Sequence, residues 1–106
     1  MTKRDGGGKV AAGATQDVIA ILEPQLADLG RTYGAQHPDT LRTRNNLANA
    51  YHASWRTQYA IALLEPLLAD LELFIGAKHP NTLLTRGNLA NAYQAAGRSH
   101  DAIALL

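Results

Sequence analysis

Cysteine is absent from this 106-residue chain. No disulfide can staple it, no thiolate can hold a metal, and nothing points to an oxidising compartment. Charge of one sign is equally scarce. Ten Lys and Arg stand against nine Asp and Glu, a formal net charge of +1. Such a balance gives no electrostatic footprint for nucleic acid or for anionic lipid. Long hydrophobic runs are missing too: the most apolar stretch, residues 59–75, contains Glu65, Pro66, Asp70 and Glu72 and is too interrupted to span a bilayer. The opening MTKRDGGGK has basic residues but no apolar stretch behind them, unlike a secretory signal. The expectation is a cytoplasmic protein with neither a nucleic-acid nor a membrane partner.

Repetition is what the sequence has in quantity. NLANAY stands at residues 46–51 and again at 88–93, and residues 18–59 match residues 60–101 at 25 of 42 columns. The register continues outward: Ala11, Ala12, Gly13 and Asp17 return as Ala95, Ala96, Gly97 and Asp101. A self-similar period of this length is the signature of a solenoid, in which each unit buries its apolar face against the next. Duplicated architecture explains the pattern, because the whole unit recurs and not merely a set of reactive side chains.

Within each unit the apolar spacing is helical. Ile61, Leu64, Leu68, Leu71 and Ile75 draw one stripe, widened by Leu63, Leu67 and Phe74. Thr15, Thr57 and Ser99 share a column just ahead of such runs, where a hydroxyl suits an N-cap, and Asp17 and Asp101 follow in the dipole-favoured first turn. Gly34 and Gly76 stand where a left-handed residue would end a helix. The next helix opens at HPDT (37–40) and HPNT (79–82), with Pro38 and Pro80 in its first turn. Its buried face is expected to be Leu41, Leu47, Ala48 and Tyr51, repeated by Leu83, Leu89, Ala90 and Tyr93. Helices are therefore predicted near 15–33, 39–53, 57–75 and 81–96, with a stub at 99–106. Residues 1–9, with three consecutive glycines, read as a flexible lead-in or a cloning remnant, and residues 10–106 as the repeat array.

Pro24 and Pro66 fall deep inside the longer helix of each unit, where a proline removes a backbone bond and kinks the helix or costs about 3 kcal/mol. Their recurrence suggests an inherited bend, although a copied accident would look the same. His37 and His79 recur and invite a metal reading. They belong to separate units and share no recurring acidic partner, so serving the start of the following helix is the stronger reading. Glu23 and Asp28, spaced five apart, do not meet on their helix. No constellation suggests catalysis, a metal or a cofactor.

The spacing Leu89, Ala90, Tyr93, Gly97, Ala102 and Leu106 resembles the tetratricopeptide repeat. The first copy supplies Leu47, Ala48, Tyr51, then Trp55 in place of the glycine, then Ala60 and Leu64. The 42-residue period and the GAxHPxT segment resemble the longer variety found in kinesin light chains. The resemblance implies an all-α solenoid of antiparallel helix pairs whose NLANAY helices line a concave groove. It also implies a non-enzymatic scaffold that holds a peptide or protein segment there. The groove residues carried over are Arg42, Asn45, Asn49 and His52 in the first unit, and Gly87, Asn91 and Gln94 in the second. An amide offers both a donor and an acceptor to an extended backbone, which singles out Asn49 and Asn91. The plainer alternative is that these amides solvate the inner face or bond a neighbouring helix. Gly87, in the column of Asn45, gives the second unit less to grip. The array reads as cut at both ends, with AIALL opening a helix that lacks its continuation. The alternative function is therefore a homo-oligomer formed by helix exchange or head-to-tail stacking.

Overall fold

The computed structural model describes residues 7–105, with side chains from residue 15 onward. Five helices follow one another: α1 (Gly7–Tyr33), α2 (Pro38–Ala53), α3 (Thr57–Phe74), α4 (Pro80–Ala95) and α5 (Ser99–Leu105). Each packs on the next, and α2 also touches α4, which makes an all-α helical solenoid with α2 and α4 in one layer and α1, α3 and α5 in the other. Among the described residues no helix is long and apolar enough to cross a membrane.

The core lies between the layers. Ile61, Leu64, Leu67, Leu68 and Leu71 of α3 are buried against Leu47, Ala48 and Tyr51 of α2 and Leu89, Ala90 and Tyr93 of α4. Three expected core positions fail. Leu83 is 49% exposed, Phe74 56% and Ile75 37%, because each lies at or just past a helix end beyond the reach of the facing layer. Threonines fill space that sequence pattern alone did not assign: Thr40, Thr43, Thr82 and Thr85 are all buried. The α1 and α3 helices continue through Pro24 and Pro66.

The first helix starts at Gly7, not near residue 15, because the alanine-rich segment 9–14 favours continuation. Thr15 therefore lies inside a helix and is no N-cap, and Asp17 is far from a first turn. The proposed lead-in is helical over residues 7–9, and its residues 1–6 lie outside the described residues, as does residue 106 of the expected stub.

The other two expected caps move by one position, for a reason visible in the backbone. Arg56 N–H closes the end of α2 on the Tyr51 carbonyl at 2.8 Å, and the Arg56 carbonyl accepts from Ala60 N–H at 3.1 Å to begin α3. Arg98 does the same between Tyr93 (2.7 Å) and Ala102 (3.1 Å). One residue thus serves two helices, Thr57 and Ser99 become first helical residues, and the Arg56 cap has no side-chain hydrogen bond. This closure is a Schellman motif, which demands a left-handed residue just before the arginine. Gly97 supplies it at φ +77, and Trp55 occupies the same column at φ +67. Gly34 and Gly76 adopt the expected left-handed conformation at φ +93 and +99.

Candidate functional site

The HPxT segments set the start of α2 and α4. His37 Nδ1 accepts from the Asp39 N–H at 3.1 Å, and His79 Nδ1 accepts from the Asn81 N–H at 3.1 Å. Each imidazole thus takes the capping role usually given to a short polar side chain, with proline at the first helical position. Behind the caps, buried Arg44 ties α2 to α3. Its Nη1 donates to Asp70 at 2.7 Å and to the Ala35 carbonyl at 3.2 Å. Its counterpart Arg86 reaches back to Glu72 at 2.7 Å, so α4 is held to α3 by a different and more exposed clamp, directed at the preceding helix instead of the following one.

A cleft of about 300 Å³ lies between the N-terminal halves of α2 and α4, floored by the last turn of α3. Leu41, Arg42 and Asn45 line one wall, Leu84 and Thr85 the other, and Leu71 lies beneath. The cleft is mostly apolar with convergent polar groups, the usual composition of a recognition site. Asn45 Oδ1 is buried and has no hydrogen-bond partner among the described residues. A buried acceptor without a donor costs roughly 1–3 kcal/mol, a cost relieved by a ligand N–H once the Asn45 amide turns its oxygen toward the cleft. Arg42 donates to Asp39 one turn back and remains largely exposed. Leu84, the column mate of Arg42, is 60% exposed.

Arg42 and Asn45 therefore share one cleft. Asn49 is exposed and lies in a separate shallow recess with Val18 of α1 and Ala53. Asn91, His52 and Gln94 are exposed on α4 and the end of α2 and line neither recess. Gly87 has open space where a side chain would be, as a Cβ there would meet nothing within 4 Å. Leu84 and Thr85 were not legible as site residues, because they lie in columns occupied by a charged and a small polar residue in the first copy. A comparison of unlike columns, Arg42 with Leu84, is the signal that could have found Leu84, whereas Thr85 shares its column with the identical Thr43.

The opposite layer carries a second repeated arrangement. The Tyr51 hydroxyl donates to Glu23, and the Tyr93 hydroxyl donates to Glu65. Both phenols are pushed up to about 12, by burial first and then by the hydrogen bond and negative charge of the glutamate. Both remain protonated donors across the physiological range.

Comparison with known proteins follows this geometry. The tetratricopeptide repeat family model matches residues 40–81, one full period. A crystal structure described as nearly identical TPR-like repeats of a putative kinesin light chain from Podosopora anserina superposes with a TM-score of 0.83 at 32% identity, over 92% of this chain and 47% of that one. A single-substitution variant of the same repeats superposes with a TM-score of 0.75 at 34% identity, over 91% and 45%. The chain thus spans about half the length of these solved relatives. No curated protein matches it.

Proposed function

The chain carries a tetratricopeptide repeat within an all-α helical solenoid, and from that premise we propose that it is a non-enzymatic scaffold binding an extended segment of a partner protein between α2 and α4. The observation that carries this reading is Asn45, whose sequestered carbonyl oxygen lacks a donor at the edge of an apolar cleft. With the Asn45 amide rotated toward the cleft, a peptide N–H satisfies that oxygen, an apolar side chain settles between Leu41 and Leu84, and a carboxylate competes with Asp39 for Arg42. Asn49, Asn91, His52 and Gln94 extend the same α2–α4 face toward the helix C-termini and would read the remainder of the segment. The family supports protein binding in general, and this assignment of the cleft is our own.

The test is to select binders from a random peptide display library on the wild-type chain and measure their affinities for Asn45→Leu, Leu84→Lys and the Asn49→Ala/Asn91→Ala pair. Each is expected to weaken binding, Asn45→Leu by roughly tenfold, the size of one lost hydrogen bond in a dry site. Undiminished affinity in all three would remove the reading.

Self-association is the second reading, favoured by one column. Ile19 and Ile61 are 3% and 4% exposed, whereas Ile103 in the same column is 68% exposed. Burial of that face by a second copy would produce mass that rises with concentration in light scattering. A constant monomer mass across a roughly 100-fold concentration range would exclude association at working concentrations.

A further inference from the structure

Both units build the tyrosine–glutamate pair, yet only one pair holds a cation. In the second unit the Arg98 guanidinium carbon stands 4.5 Å from the centroid of the Tyr93 ring, and a guanidinium nitrogen lies 3.9 Å from Glu65. Asp101 fixes this pose by accepting from Arg98 Nε at 2.8 Å. In the first unit the corresponding arginine is near enough for its charge to act on Tyr51, yet it does not lie over the ring: Arg56 Nη2 donates to Gln16 at 3.2 Å. The cause is a single column. Where the second unit has Asp101, the first has Tyr59, whose ring offers no carboxylate to draw the guanidinium inward. Tyr59 instead sets its ring edgewise to Tyr51, with centroids 5.3 Å apart and planes at 83°.

The result is an open groove of about 340 Å³ between α1 and α3, floored by Tyr51 and Leu47 of α2. Glu23 and Leu26 form one wall, Tyr59 and Leu63 the other. Among the described residues, no cation stands over either ring.

We propose that this groove is a seat for the guanidinium of an arginine side chain presented by a protein partner. The second unit supplies the precedent within the same molecule, since the same tyrosine and glutamate there flank a guanidinium that Asp101 anchors. The chemistry is complementary throughout. Glu23 offers negative charge, the exposed Tyr59 ring offers a face to a planar cation beside the largely buried Tyr51, and Leu26 and Leu63 accommodate its methylene stem. Pro66 lacks an N–H, so the Ala62 carbonyl in the same wall is without its usual helical donor and is a further acceptor. A guanidinium fits better than an ammonium because it stacks on rings and donates in a fork. This seat belongs to the layer opposite the α2–α4 cleft, so it is a second contact surface, independent of the first.

The test follows the Tyr51 and Tyr59 ring protons by NMR while N-acetyl-arginine N-methylamide, its lysine counterpart and its neutral citrulline counterpart are titrated into the full chain. The arginine compound is expected to give saturable shifts at both rings, with citrulline and lysine weaker by roughly fivefold or more. Glu23→Gln should weaken the arginine response. Tyr59→Asp copies the second unit onto an exposed position and should abolish the response by drawing Arg56 onto Tyr51. Circular dichroism confirms that each variant is folded, and Tyr59→Asp keeps the test decisive should Glu23→Gln unfold. Equal responses to arginine and citrulline, equal responses to arginine and lysine, or an undiminished arginine response in Tyr59→Asp would each overturn the proposal.

Discussion

Trp55 is 88% exposed and holds φ +67, a conformation that costs a residue with a Cβ about 1–2 kcal/mol and costs glycine little. The Schellman closure between α2 and α3 imposes that conformation, and Gly97 meets the same demand between α4 and α5. Trp55→Gly should therefore stabilise the fold by about 1 kcal/mol once the extra freedom of glycine in the unfolded chain is subtracted. A higher urea midpoint at unchanged slope checks it. The tyrosines make a pH prediction. Their folded values of about 12 lie above the ordinary 10.0, so their contribution to stability is fully present below pH 10 and is lost as pH rises toward 12. Urea unfolding between about pH 9 and pH 11 should show falling stability. The Tyr51→Phe/Tyr93→Phe variant should show a flatter dependence.

At the level of helices, polar clamps add to the leucine core that joins α2, α3 and α4. Asp70→Asn leaves the buried Arg44 guanidinium without its counter-charge. The expected cost is about 2 kcal/mol, below the roughly 3–5 of a wholly buried pair because Asp70 keeps 25% side-chain exposure. Thr82 presents the opposite case. Its hydroxyl is buried without a partner among the described residues, so Thr82→Val should be neutral or stabilising by up to about 1 kcal/mol. Gly87 lies inside α4 with open space around it, and Gly87→Ala should stabilise by roughly 0.5–1 kcal/mol. Thermal unfolding of the three variants ranks them. The α2–α4 pattern was legible in the sequence because period and punctuation agreed: HPxT ahead of α2 and α4, a glycine after α3 and α4, apolar spacing between. The start of α1 was misplaced because Thr15 looks like a cap when the alanine-rich residues before it are discounted. Arg44 was missed because an arginine among helix surface residues reads as solvated until its distant partner Asp70 is known. Of the candidate site, Arg42 and Asn45 were legible through the resemblance, while Leu84 became visible only when two helices were set side by side.

The whole molecule behaves as two unlike surfaces separated by one core. The α2 and α4 helices touch each other, whereas among the described residues the backbones of α1, α3 and α5 do not approach one another closely. The stack therefore closes on the α2–α4 side and splays on the other, which gives a cleft on one layer and a groove on the other. Repetition explains the frame, and the columns where the copies disagree explain the sites: Arg42 against Leu84, Asn45 against Gly87, Tyr59 against Asp101. A unit copied for packing acquires function where the copies are allowed to differ. The most direct measurement is backbone amide shift mapping by NMR with a display-selected peptide added to the labelled chain. Binding between α2 and α4 predicts perturbations clustered on Arg42, Asn45, Leu84 and Thr85. Perturbations confined to the α1, α3 and α5 layer, with that cluster unmoved, would contradict it.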